Sequence, residues 1–410
     1  MTAPRLLCVS NGHGEDAIAL RILLALRDRH PNLDLAALPL VGEGTAFRTH
    51  GIAPIAATKT LPSGGFVYLD GRQLARDLKG GLVQLTIAQL QAMRTWAQQG
   101  GAVLAVGDLI PAGFARWSGC PYAFVGTAKS AYYLRNEAGR LPEIPWYAGW
   151  AGSIYLPWER WLMGGRCRLV VVRDELTAAE LRQCGVRSLV VGNPMMDGLA
   201  PTPLGETLRS PDPAALTLVL LPGSRPPEAY QNWDRILRAV ASVLPTFAPR
   251  SVHLLGAIAP SLDLAPLCDA LRRHGWTDVP ATNSIFIHAN GTLRLTQTAY
   301  ADCLHLADAA IAMAGTATEQ VVGLGKPAFT LPGDGPQFVP AFARLQTRLL
   351  GPSVQLLNHP AEVGAAIQAT LADAQRLAHI RENGQRRLGE PGAAAAIAAA
   401  LSDRLLEMGG

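Results

Sequence analysis

The chain has 410 residues, of which 49% are hydrophobic and 17% charged, with a formal net charge of +4. That length exceeds one ordinary core and predicts two domains of roughly 150–200 residues each, while the low charge density excludes extended disorder. So small a net charge excludes a dedicated nucleic-acid binder, which would concentrate Lys and Arg in one element.

The six cysteines (Cys8, Cys120, Cys167, Cys184, Cys268 and Cys303) form no C-x-x-C pair, and the nine histidines no H-E-x-x-H pair. Neither a disulfide framework nor metal-ligand spacing is present, so a reducing cytoplasm is expected. The start, MTAPRLLCVSNGHGED, lacks the apolar core of a signal peptide, and no apolar run approaches the ~20 residues of a membrane-spanning helix. Nothing in the sequence specifies an oligomeric state.

In chain order, the strand RLLCVS runs into SNGHGED (Ser10, Asn11, Gly12, His13, Gly14, Glu15, Asp16) and then into EDAIALRILLALRDR. There Ile18, Ile22, Leu23 and Leu26 mark one helical face before His30-Pro31 ends it. LDLAALPLV, AVLAVGD, YAFVGT, RLVVVRD and SLVVG follow as strands, with Thr177 to Glu180 fitting a capping box and Gly185 a helix stop. Between Leu199 and Ala214 the pattern lapses into a stretch with Pro201, Pro203, Pro211 and Pro213, which reads as a linker.

A second alternating series then runs through LTLVLLPGS, SVHLLGAI, SIFIHAN, AAIAMAG, KPAFTLP and SVQLL to a helical tail. Near-continuous apolar strands interleaved with helices predict parallel sheets covered on both faces. The expected fold class is α/β with two doubly wound Rossmann-like domains, residues 1–198 and 215–380, joined by 199–214. Helices over 381–410 are free to pack back on the first domain. Ligands are expected at the carboxyl ends of the strands and in an interdomain cleft.

Two turns in the second half follow strands. In LLPGSRPPE, Gly223 and Ser224 offer backbone N–H groups to an anion, and Arg225 adds a planar bidentate donor suited to a diphosphate. In MAGTATEQ, Gly315, Thr316, Ala317 and Thr318 form a small-residue turn, and Glu319 can accept from the vicinal hydroxyls of a ribose. Each turn alone is equally readable as a well-capped connection. The pair, in one domain and each at a strand's carboxyl end, is far more specific.

LPGSR followed by GTATEQ resembles the donor-binding half of GT-B glycosyltransferases, most closely the lipid-A-disaccharide synthase family, and VVGNPMMD (Val190 to Asp197) resembles that family's glycine-histidine-proline segment. Asn193 stands where the family has His. The resemblance implies an N-terminal acceptor-side domain, a C-terminal domain for a UDP-sugar donor, inversion at the anomeric carbon, and neither metal nor other cofactor. Ser224 and Arg225 would carry the diphosphate with Gly223, Gly315, Thr316, Ala317 and Thr318. Glu319 would read the ribose, and Asn193 would lie near the donor. Consistent with this, no D-x-D pair of the metal-dependent transferases is found.

SNGHGEDA can be forced into the dinucleotide pattern G-x-G-x-x-A, with Glu43 as its acidic partner. Glu15 and Asp16, however, occupy the helix start where a pyrophosphate would sit, and their charges repel it. If the donor's phosphates bind elsewhere, this loop is left for an acceptor hydroxyl, with Asn11, Gly12, Gly14 and Asp16 lining it. His13, Glu15 and Asp108, the last at the end of strand AVLAVGD, are the candidate catalytic groups, and Asp108 is preferred as base. A plainer alternative has Glu15 and Asp16 capping the helix and His13 solvated.

Residues 132–168 concentrate Trp146, Trp150, Trp158, Trp161, Tyr132, Tyr133, Tyr147 and Tyr155 among arginines. These rings either pack as core or meet a bilayer surface, delivering a lipid-linked or acylated acceptor to a protein peripheral on the inner face of the membrane. Two other functions stay open on the same fold: a UDP-sugar 2-epimerase and a non-catalytic nucleotide-sugar-binding protein.

Overall fold

The computed structural model describes residues 4–12, 14–58, 81–280, 284–333, 335 and 338–406. They form two compact units, Met1–Asp197 with Glu390–Gly410, and Gly198–Gly389.

In the first unit, β1 (Arg5–Ser10), β2 (Asp34–Pro39), β3 (Ala53–Pro54), β4 (Ala102–Gly107), β5 (Tyr122–Gly126) and β8 (Cys167–Val172) make a parallel sheet in the order β3-β2-β1-β4-β5-β8. A short antiparallel pair, β6 (Arg135–Asn136) with β7 (Gly139–Arg140), stands outside it. The sheet's apolar residues are buried on both faces, Leu7, Val9, Val103, Ala105, Tyr122, Phe124, Val170 and Val172 on one and Leu6, Cys8, Leu104 and Val106 on the other. The helix Gly14–Arg29 buries Ile18, Ile22, Leu23 and Leu26, the face its spacing predicts. The alanine-rich helix Ala393–Leu401 packs on it, its small side chains allowing close approach. The Asp197 carboxylate caps that second helix, accepting from the amides of Gly392 and Ala394.

Two local expectations fail in this unit. SLVVG contributes a single bridge, Val171 with Leu189, rather than a strand. Gly192 at φ 85° and the turn Pro194–Met196 take the chain away from the sheet edge. The helix Glu175–Gln183 is capped by Asp174, not Thr177: the Asp174 carboxylate accepts from both the amide and the hydroxyl of Thr177.

In the second unit, β9 (Leu216–Leu221), β10 (Val252–Ala257), β11 (Thr277–Asp278), β12 (Ile285–His288), β13 (Gly291–Thr296), β14 (Ala309–Ala312), β15 (Ala328–Thr330) and β16 (Val354–Leu356) run in the order β11-β12-β13-β10-β9-β14-β15-β16. The β11/β12 and β12/β13 pairs are antiparallel and the rest parallel. Strand β13 was not anticipated, although Asn290-Gly291 between two period-2 segments is a hairpin signal.

Residues 199–214 are not a free linker but belong to the second unit. Asp302 accepts from both the amide (2.6 Å) and the hydroxyl (2.9 Å) of Thr202, and a short helix, Leu204–Leu208, buries Leu208. Prolines there shape an anchored segment.

Strand order fixes where each sheet opens. In the first, the chain adds β2 and β3 on one side of β1 and then β4, β5 and β8 on the other. In the second, β10 to β13 lie on one side of β9 and β14 to β16 on the other. The carboxyl ends of β1 and β4, and of β9 and β14, therefore flank the topological switch points where doubly wound sheets bind ligands.

Candidate functional site

Each switch point carries a polar cluster. In the first unit, Asn11 follows β1 and Asp108 follows β4, and the two side chains clasp. Asn11 Nδ2 donates to Asp108 Oδ1 at 3.0 Å, and the Asp108 amide donates back to Asn11 Oδ1 at 2.8 Å. Asp108 Oδ1 also accepts from the Ile110 amide at 2.8 Å, capping the helix Leu109–Ser118. The clasp needs glycine at 107: φ is 131°, and a Cβ there would stand 1.8 Å from Asn11 Oδ1. Gly12, at φ 110°, is equally constrained, since a Cβ would meet the Val41 carbonyl oxygen at 2.4 Å. Asp108 is half-buried and Glu15 half-exposed, so both remain within reach of a ligand. Gly14 is exposed at the start of its helix, and His13 lies outside the described residues.

Asp16 differs from expectation. It is 5% exposed, and its carboxylate is held by the Ser10 hydroxyl at 2.5 Å and by the Gly12 amide. It locks the loop from within rather than lining an acceptor surface. Burial raises its pKa to about 6, against the lowering effect of those two hydrogen bonds. The folded pKa exceeds the unfolded value of 3.8, so the native state binds the proton more tightly. Asp16 therefore costs stability above pH 6, by up to about 3 kcal/mol, and the cost disappears as pH falls toward 4. We expect the Tm difference between wild type and Asp16→Asn to shift in favour of wild type as pH drops from 7 to 4. A flat difference across thermal melts in that range would contradict the assignment.

Further along the same sheet edge lie groups that the sequence reading passed over. Arg173, just after β8, donates to the Thr127 carbonyl at 2.8 Å, and Lys129 pairs with Glu159 at 2.6 Å. The Tyr155 ring is 1% exposed, and burial, with Asp174 and Glu159 nearby, pushes its phenol pKa far up, so it stays protonated. Tyr155 and Tyr132 are thus core, whereas Trp146 (87% exposed), Trp150 (73%), Trp158, Trp161 and Tyr147 stand out from the surface. Arg116 stacks on Trp161 at 3.4 Å. The aromatic segment is therefore part core and part exposed surface.

Asn193 has a local structural role. It lies in the first unit, buried, with Oδ1 accepting from the Met195 amide at 3.1 Å, and Arg21 donates to the neighbouring Pro194 carbonyl at 2.9 Å. Its carboxamide caps its own turn.

In the second unit, Gly223 (φ 98°) follows β9 and passes close to β14's end, a Cβ standing 3.4 Å from the Met313 oxygen. Ser224 is exposed and Arg225 half-exposed. The next helix starts at Glu228, behind Pro226 and Pro227, which carry no N–H. Its first turn holds the buried Glu228 carboxylate, which accepts from the Phe338 amide, so that helix terminus is not an anion cradle.

The second turn is better suited. Gly315 is the cap of the helix Thr316–Gly323, whose first-turn amides include those of exposed Thr316 and half-exposed Ala317. Glu319 is half-exposed in that first turn. Thr318 is fully buried and its hydroxyl donates to the Ala314 carbonyl at 2.6 Å, so it shapes the turn instead of meeting a ligand. Gln346 supports the same turn, donating to the carbonyls of Ala314 (2.9 Å) and Gly315 (3.3 Å).

No protein-family model matches this sequence, and no curated protein does either. Solved structures do match. The spinosyn rhamnosyltransferase SpnG is 17% identical with a TM-score of 0.57, covering 97% of this chain and 99% of that one. MurG of Acinetobacter baumannii is 12% identical with a TM-score of 0.56 (98% and 99% covered). The UDP-GlcNAc 2-epimerase of Neisseria meningitidis, solved with UDP-GlcNAc, is 12% identical with a TM-score of 0.55 (97% and 100%). The fold is GT-B. In a GT-B chain the two switch points just described fall one to each Rossmann-like unit, and the polar residues gathered there are candidates for function. Identities this low establish the fold alone, so the chemistry must come from those residues.

Proposed function

We propose that this chain is an inverting glycosyltransferase that moves a sugar from a UDP-sugar to a lipid-linked or acylated acceptor, as the lipid-A-disaccharide synthase resemblance implies. The observation that carries the reading is the placement of both polar clusters at topological switch points, one after β1 and β4 and one after β9 and β14. The GT-B structures similar to it include enzymes described with UDP-GlcNAc or as sugar transferases.

On this reading the diphosphate lies against the amides of Gly315, Thr316 and Ala317, with the guanidinium of Arg225 as its cationic partner. Glu319 accepts from the ribose hydroxyls. Asp108 takes the proton of the acceptor hydroxyl while that oxygen attacks the anomeric carbon. The bond to the diphosphate breaks, and UDP leaves with its negative charge met by Arg225 and the turn amides. The chemistry asks for no metal in this scheme. Glu15, and His13 two residues before it in the sequence, would orient the acceptor.

The experiment is an incubation with UDP-GlcNAc, UDP-glucose or acylated UDP-glucosamine, with and without a lipid extract, in EDTA. Transfer to a lipid product, unaffected by chelation, supports the proposal. The similarity to a 2-epimerase motivates a second reading: conversion of UDP-GlcNAc to UDP-ManNAc without any acceptor, followed by NMR, would replace the transferase reading.

The exposed rings of the first unit support a membrane-borne acceptor. Trp146, Trp150 and Trp158 lie among arginines, and no helix among the described residues is long and apolar enough to cross a bilayer. Replacing these three by Ser should reduce co-sedimentation with anionic vesicles several-fold without lowering Tm. Unchanged sedimentation would remove the membrane from the proposal.

A further inference from the structure

The helix Glu228–Phe247 buries Ala229, Trp233, Ile236, Leu237, Val240, Val243 and Leu244 against the second sheet, and in that apolar stripe sits one carboxamide, Asn232, 2% exposed. A buried amide costs stability unless its hydrogen bonds are made. Both bonds donated by its Nδ2 go to backbone carbonyls at strand ends. Asn232 Nδ2 donates to the Pro222 oxygen at 3.1 Å and to the Met313 oxygen at 3.3 Å. Carbonyl oxygens cannot donate, so the amide orientation follows from chemistry: both N–H groups of this side chain are committed.

Those carbonyls are not arbitrary. Pro222 is the residue before Gly223, at the end of β9. Met313 follows β14 and precedes Ala314 and Gly315. β9 and β14 are neighbours flanking the switch point, so one side chain spans the roots of both turns. The ladder between these strands ends with Ala312 opposite Leu221, and the Met313 amide donates to the Leu221 oxygen at 2.8 Å. The ladder of paired residues ends there, and Asn232 adds a further cross-link between the roots of the two turns.

We propose that Asn232 is a positioning residue that sets the spacing between the Gly223 turn and the Gly315 turn, and thereby the distance between the Arg225 guanidinium and the amides of Gly315 and Thr316. Its role for a nucleotide diphosphate rests on the donor reading given above; its role in coupling the two turns does not. A diphosphate bridging two turns tolerates little error in their separation, because hydrogen bonds to its oxygens weaken steeply with distance and angle.

The test compares Asn232→Ala with Val240→Ala in the full chain. Val240 lies two turns further along the same buried face, about 12 Å away at 1.5 Å per residue, and its truncation loosens the core without touching either turn. Two readouts are taken: amide hydrogen exchange at Gly223, Ser224, Gly315 and Thr316, and UDP affinity by calorimetry. Asn232→Ala should speed exchange at both turns together and weaken UDP at least ten-fold. Val240→Ala should lower Tm with neither change.

Asn232→Thr, close to asparagine in volume but with one hydroxyl donor in place of two N–H groups, serves if the alanine variant does not fold. The proposal is overturned if Asn232 variants leave exchange at either turn as in wild type, if UDP affinity stays put while wild type binds UDP, or if Val240→Ala produces the same loosening. Coupled loosening of both turns in a wild type that binds no UDP would uphold the positioning role and remove the donor reading instead.

Discussion

Arg225→Ala is expected to weaken UDP binding by roughly 30- to 1,000-fold while leaving the melting temperature within a few degrees of wild type. The size follows from removing a charge-assisted, bidentate partner of a diphosphate, about 2–4 kcal/mol where the remaining phosphate charge is left without its cation. Stability should hold because Arg225 is half-exposed and its backbone oxygen, not its side chain, starts the following helix by accepting from the Ala229 amide at 2.8 Å. Arg225→Lys keeps the charge but loses the planar fork, so its affinity should fall between the two. Calorimetric titration with UDP decides the matter, and an Arg225→Ala protein that binds UDP normally would remove Arg225 from the donor site.

Asp108→Asn should act on turnover alone, lowering kcat by about 10²- to 10⁴-fold, the usual worth of a general base. The substitution suits the geometry. Asn is as good a helix cap as Asp, and its Oδ1 can still accept from the Ile110 amide and from Asn11 Nδ2. The fold and UDP affinity should therefore be retained. Asp108→Ala, by contrast, deletes the cap and half the clasp and should cost about 1–2 kcal/mol of stability in addition to activity. Single-turnover rates alongside UDP titration separate the effects. Full turnover in Asp108→Asn would assign Asp108 to structure and shift the search for a base to Glu15 and His13.

What the sequence conveyed, and what it withheld, divides along physical lines. Periodic burial is local, so RLLCVS, AVLAVGD, YAFVGT and LTLVLLPGS emerged as buried strands, and the apolar face of Gly14–Arg29 was legible residue by residue. Glycine turns at strand ends were legible for the same reason. What failed was anything decided by which partner a polar side chain takes once the chain is folded, whether that partner is near or far in sequence. Proline content marked 199–214 as a linker, because the grip of Asp302 on Thr202 comes from 100 residues away. Asp16 was read as displayed, because its enclosure depends on Ser10 and on the fold of the loop around it. Thr318 has the chemistry of a ligand but spends its hydroxyl on its own turn, and the Asn193 oxygen caps the turn at Met195. Asn232 was passed over inside a helix, although one amide in an apolar stripe is a signal that sequence alone can supply.

The account rests on where a sugar nucleotide's phosphates bind, and a crystal structure of the chain grown with UDP tests that most directly. It predicts both phosphates in the second unit, within hydrogen-bonding distance of the Gly315 and Thr316 amides and of the Arg225 guanidinium. Phosphates seated on Gly12 and Gly14, in the loop after β1, would contradict it.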